Sequence, residues 1–218
     1  FEDPARILGM VQILMGCLAV ITLPLYANSF LWMQKLVAAL PLTDGGYRLF
    51  LLSSQGIAMA VMLPATICAG MTLPLITHTL MRRGAGERAI GTVYGVNTAG
   101  AIVGVVLAVH VGLPVFGVKG MIIAGAAIDV GLGAILLYRR APVAWPVVGA
   151  LVLVVVAVAV PIRPSLMASG VYMGGGILAD DTEFLFHEDG KTATITVTQQ
   201  KDIRSIRTNG KSDAAISA

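Results

Sequence analysis

Across 218 residues the chain is 56% apolar and only 12% charged, with a net charge of +3 and a mean hydropathy of +0.84. Soluble domains carry roughly twice that share of charge, so this composition excludes a water-covered globule and points to a protein embedded in a bilayer. The basic balance does not read as nucleic-acid binding. Arginines and lysines sit in short loops between apolar runs, with no basic stripe interleaved with aromatics.

The chain opens on Phe1 without a basic-then-apolar leader, and Glu2, Asp3, Pro4 and Arg6 read as a polar loop entering a helix. Residues 212–218 stop inside a strand-rich pattern. Both ends are those expected of a segment from a longer protein, with more helices before it and a further domain after it.

A spanning helix needs about 20 mostly apolar residues. The runs 7–28, 49–81, 89–113, 118–138 and 143–160 predict about five spans, a transporter-like all-α bundle over residues 1–161. Residues 29–40 are apolar at Phe30, Leu31, Trp32, Leu36, Val37 and Leu40 but broken by Gln34 and Lys35. They predict an interfacial helix anchored by Trp32 and ended by Pro41 and an Asp44-Gly45-Gly46 turn. Pro24, Pro64 and Pro74 predict kinks whose freed carbonyls need partners. Arg6, Arg82, Arg83, Arg88, Arg139 and Arg140 fall on one face of such a bundle, against Lys35, Arg48, Lys119 and Arg163 on the other. That excess predicts a multi-pass protein of the inner membrane, with the first face cytoplasmic and the C-terminal segment on the far side.

After Pro161 the periodicity changes. Ala193, Ile195 and Val197 alternate with Thr192, Thr194, Thr196 and Thr198, which predicts a strand with one apolar face. Asp189-Gly190 and Asn209-Gly210 are hairpin signals, because type I′ turns take residues that accept positive φ. Residues 162–218 therefore predict the start of a small antiparallel β-meander, too small to be stable without a partner.

Few residues in the apolar runs bear chemistry. Gly91/Gly95 and Gly100/Gly104 are each four apart, which places small residues on helical stripes that let helices approach closely in lipid. They read as bundle packing or as a tight interface lining a cavity. Asp129, near the middle of the fourth run, is the costliest polar group to bury. It would bind a cation or polyamine or relay protons, or else be protonated or paired with another helix. Asn97 reads as an interhelical hydrogen bonder, and His78, His110 and Gln55 as residues near span ends. Cys17 and Cys68 lie inside apolar runs and read as small hydrophobes, not as a disulfide. No set of residues has metal-ligand spacing, and no catalytic triad or phosphate-cradling glycine loop is present.

The motifs Pro64…Gly70-Met71-Thr72-Leu73-Pro74-Leu75 and Gly91-Thr92-Val93-Tyr94-Gly95-Val96-Asn97-Thr98-Ala99-Gly100-Ala101, with Gly104, resemble the membrane part of bacterial spermidine synthase-like proteins. Ser169-Gly170-Val171-Tyr172, the run from Phe186 to Val197, and Asn209-Gly210-Lys211-Ser212-Asp213-Ala214 resemble the N-terminal β-region of the synthase domain in the same family. The resemblance covers residues 64–214. It implies a Rossmann-like domain after the meander, binding decarboxylated S-adenosylmethionine as co-substrate for aminopropyl transfer to an amine in polyamine biosynthesis. No catalytic or cofactor-binding residue of that domain is in this sequence. Where soluble spermidine synthases show Leu-Asp-Gly-x-x-Gln, this chain has Thr208-Asn209-Gly210-Lys211-Ser212-Asp213, with Asn for Asp and Asp for Gln. Two other functions fit the residues: a transporter segment for a cation or polyamine passing Asp129 and Asn97, and a pure membrane anchor.

Overall fold

A computed structural model of the chain describes residues 3–139, 141–161, 163–179 and 181–217. Phe1, Glu2, Arg140 and Ala218, singled out in the sequence, lie outside these. The helices are α1 (Pro4–Ala39), α2 (Asp44–Arg82), α3 (Arg88–Leu107), α4 (Leu113–Leu137) and α5 (Ala144–Ala159), with a π turn at Ala108–Gly112. Two single-turn helices follow, α6 (Pro164–Met167) and α7 (Val171–Gly174). The strands are β1 (Glu183–Asp189), β2 (Thr194–Gln200), β3 (Ile203–Thr208) and β4 (Lys211–Ser217).

Three helical runs, Pro4–Ala39, Asp44–Arg82 and Arg88–Leu137, are long and apolar enough to cross a membrane. The third joins α3, the π turn and α4 and is broken at Gly117. There φ of 64° and ψ of −178° are conformations that only glycine adopts without strain. The five expected spans are thus matched by five helices, of which α5, at 16 residues, falls short of the usual spanning length.

Helix α1 is the centre of the bundle, and α2, α4 and α5 pack around it. Its pairing with α4 is antiparallel and has no room for side chains at its glycines. A Cβ at Gly16 would stand 2.7 Å from the Ala126 carbonyl oxygen, and one at Gly133 would stand 2.8 Å from that of Gly9. A Cβ at Gly149 of α5 would meet Ile13 at 2.9 Å and Val130 at 3.2 Å. Around this seam Val20, Leu23, Ala126, Val130 and Leu153 form a buried cluster. Helix α3, by contrast, buries only Ala89 and Val93.

Two expectations are corrected here. Residues 29–40 do not form a separate interfacial helix: α1 runs unbroken through Pro24 to Ala39. At 36 residues it is about 54 Å long, well beyond a hydrocarbon core of about 30 Å. Phe30 and Met33 are buried against Val171, with Phe50, Ile57, Leu166 and Tyr172 around them, so this last third of α1 is core. The Asp44-Gly45-Gly46 triplet does not end a helix but begins α2. Thr43 is its N-cap, its Oγ1 accepting from the Gly46 N–H at 3.2 Å, and Asp44 places negative charge in the first turn. Elsewhere in the long helices hydroxyls bond back to their own backbone, as Thr77 does to the Leu73 carbonyl and Thr79 to that of Leu75. Those groups therefore need no water.

The strands form one antiparallel sheet in the order β1-β2-β3-β4, a meander as expected. Asn209 and Gly210, both at positive φ, make the two-residue β3–β4 turn. The Asp189-Gly190 signal resolves differently: Asp189 pairs with Thr194, leaving a four-residue loop that the Gly190 N–H closes onto the Ala193 carbonyl at 3.0 Å. The expected apolar face is not the buried one. Thr196 and Thr198 are 1% and 2% exposed, while the opposite face carries the cross-strand row Phe186, Val197, Ile206 and Ala214, with Phe186 46% and Ile206 49% exposed. The period-2 reading was right in its spacing, but hydrogen bonds decide which face is inward. Thr196 Oγ1 lies 3.0 Å from His187 Nδ1, and Thr198 Oγ1 accepts from Arg207 Nε.

The seam yields a direct prediction. Gly16→Leu or Gly133→Leu should destabilise the chain by about 1–3 kcal/mol or more through overpacking, whereas Gly95→Leu, which meets nothing within 4 Å, should leave its fold unchanged. Thermal unfolding in detergent separates the two sets.

Candidate functional site

Polar groups gather where the sheet meets the bundle. The break at Gly117 exposes the N-terminus of the second part of α4, and β1 supplies its cap. The Val118 N–H donates to Asp189 Oδ2 at 3.1 Å, and Thr194 Oγ1 donates to Asp189 Oδ1 at 2.7 Å. One carboxylate thus ties β1, β2 and α4 together, at the helix end that favours negative charge. One residue on, Lys119 Nζ donates to the carbonyls of Ala157 at 2.8 Å and Val160 at 2.7 Å, capping the C-terminus of α5. A third tie is steric. Gly170, before α7, touches the Gly210 backbone so closely that neither has room for a Cβ. The Ser169-Gly170-Val171-Tyr172 and Asn209-Gly210 motifs, far apart in sequence, are therefore in contact.

Above this junction Tyr26, Phe30 and Tyr172 stack edge to face, with centroids 5.3 and 5.6 Å apart. Tyr26 and Tyr172 divide two cavities. One of about 400 Å³ reaches between α1, α2 and α4 past Thr22, Ser29, Ser54 and Val118. The other, of about 250 Å³, opens toward Thr194 and Asn209 of the sheet. The larger one is apolar with a few hydroxyls, the usual character of a small-molecule site. Thr22 and Ser29 spend their protons on the Ala19 and Tyr26 carbonyls and keep their lone pairs as acceptors.

The residues singled out in the sequence are not gathered there. Asp129 lies half-buried on the α1–α4 seam, its Cβ 3.3 Å from the position of a Cβ on Gly16, and its carboxylate has no partner among the described residues. Asn97 is exposed on α3, and α3 does not pack on α4, so the structure does not bring the two together. A Cβ at Gly91, Gly95, Gly100 or Gly104 would meet none of the described residues within 4 Å beyond the backbone of α3 itself. His78, His110 and Gln55 are exposed, and Cys17 and Cys68 are free thiols, on α1 and α2 respectively. Among the described residues no group of His, Cys, Asp and Glu could hold a metal ion.

Sequence reasoning passed over Asp189 as a cap, Tyr26 and Tyr172 as cavity walls, and Gln12. Asp189 was legible only as half of a turn signal, because its helix partner is 71 residues away. Gln12 carried the same signal as Asn97, a lone amide in an apolar run. Comparison with known proteins returned no matching family model, no similar curated protein and no similar solved structure.

If Asp189 holds sheet and bundle together, Asp189→Ala should cost about 1–2 kcal/mol, the usual loss on removing a helix cap, whereas Asp189→Asn, an equally good cap, should cost much less. Hydrogen exchange at the Val118 amide should rise in the alanine variant only.

Proposed function

We propose that this chain is the membrane-embedded and linking part of a spermidine synthase-like protein. In this reading the helices cross the inner membrane several times, and the meander carries a synthase domain that transfers an aminopropyl group from decarboxylated S-adenosylmethionine to an amine. The observation that carries it is the docking of the meander on the bundle through Asp189, Gly170 and Gly210. The motifs that resemble the family's β-region are the ones in contact. The exposed Phe186 and Ile206, on either side of the half-buried Val197, support it further, since an exposed apolar sheet face of this kind is the mark of an interaction surface.

The arginine-rich end supports a bundle that spans. Val118 and Leu137 of α4 are about 30 Å apart along the helix, close to the thickness of a hydrocarbon core. Arg139 follows one end, while Lys119 and the sheet sit at the other. The three helical runs long enough to cross and the exposed apolar faces of α2 and α3 agree with this placement.

A second reading, transport of a cation, is favoured by the unpaired Asp129 carboxylate on the central seam. The two are separated by assaying the whole protein in proteoliposomes, for aminopropyl transfer to candidate amines and for uptake of the same amines. The first reading expects transfer, and expects it to persist in Asp129→Asn. No transfer to any amine, together with uptake lost in Asp129→Asn, would replace it by the second.

A further inference from the structure

At the end of the bundle away from the sheet, a cleft of about 370 Å³ lies between α1, α2 and α4. Its walls are apolar, from Leu8, Ile76, Leu80, Leu132 and Ile135, and its polar groups are Gln12, Thr79 and Arg83. The Gln12 side-chain carbonyl oxygen is buried and accepts no hydrogen bond. A buried acceptor left bare costs about 1–3 kcal/mol, and such groups in folded proteins generally mark a water, an ion or a ligand. Thr79 does not relieve it, because its hydroxyl donates to the Leu75 carbonyl at 2.6 Å. The cleft thus presents a bare acceptor, a guanidinium and a long apolar wall.

We infer that this cleft seats the headgroup and part of one acyl chain of a single bilayer phospholipid, whose remainder lies in the surrounding lipid. Its phosphate meets Arg83, a hydroxyl or ammonium of its headgroup donates to Gln12, and an acyl chain lies along Ile76, Leu80 and Ile135. Each part of the cleft matches one part of that molecule. The position fits as well. Arg6, Arg82, Arg88 and Arg139 belong to helix ends on the same side as Arg83 and outnumber the described acids there, Asp3, which caps α1, and Glu87, which precedes α3. Basic clefts between membrane helices at a positively rimmed face are where phospholipid headgroups bind. A free phosphate would leave the apolar wall and Gln12 unused, and water alone would leave Arg83 and the wall unused.

The inference rests on the chain being inserted in a membrane, so the test uses whole protein extracted from the membrane fraction. Its absence from that fraction would overturn the membrane reading and this inference with it, whereas protein found there without the lipid overturns this inference alone. Native mass spectrometry in mild detergent should find one phospholipid retained on the wild type. Arg83→Gln and Gln12→Leu should each lower its occupancy about tenfold, the loss expected for one charge-assisted or buried contact. Arg139→Gln, on the same rim but outside the cleft, should retain it, and excess inorganic phosphate should not displace it. Gln12→Leu removes the bare acceptor and should fold at least as well as wild type, so a loss of lipid there is not a loss of fold. No retained lipid on the wild type, equal loss in Arg139→Gln, unchanged retention in both cleft variants, or displacement by phosphate would overturn the assignment.

Discussion

The close approach of α1 and α4 is the contact on which the rest of the molecule depends. In lipid, helices gain nothing from burying apolar surface against one another, because lipid tails are as apolar as leucine. What holds two helices together is contact area at short range, and that requires the absence of side chains at the crossing. Gly9 and Gly16 on α1 and Gly133 on α4 provide it, with Ala126 opposite Gly16. Gly149 extends the same solution to α5. With this seam closed, α1 has α2, α4 and α5 around it, and its last third continues beyond the seam to the junction where the sheet is mounted.

The mounting follows from the break at Gly117. A helix that restarts at a break has bare N–H groups that must find an acceptor. The chain meets that demand from the sheet, so the cap that completes α4 also fixes where β1 lies. Lys119 meets the opposite demand at the end of α5. These paired caps make the junction the place where a change in the sheet is felt by the bundle. The two cavities separated by Tyr26 and Tyr172 lie against the same residues.

What the sequence disclosed was periodic or compositional. The apolar runs located α2 to α5 and the start of α1 to within several residues, but not the end of α1 at Ala39, and Asn209-Gly210 located a hairpin turn, because those features depend only on neighbours in the chain. Contacts across the chain were not legible. The glycine pairs that stand out by spacing, Gly91/Gly95 and Gly100/Gly104, face none of the described residues, while those that pack at the seam, Gly9, Gly16, Gly133 and Gly149, follow no such spacing and look ordinary. The β2 strand showed its alternation but not its buried side, since Thr196 and Thr198 are held inward by His187 and Arg207 on neighbouring strands. Asp129 stood out as a charge in an apolar run, yet its place beside Gly16 and apart from Asn97 is set by which helices meet.

The central claim, that α4 lies antiparallel on α1 at its glycines, is tested most directly by cross-linking. In a chain with Cys17 and Cys68 replaced, Gln12→Cys on α1 and Leu136→Cys on α4 would face one another across a single cleft, within reach of a short bifunctional thiol reagent and without adding a side chain at the glycines. This pair should cross-link readily, while Gly95→Cys with Leu136→Cys should not. Failure of the first pair to cross-link, or equal cross-linking of both, would contradict the claim.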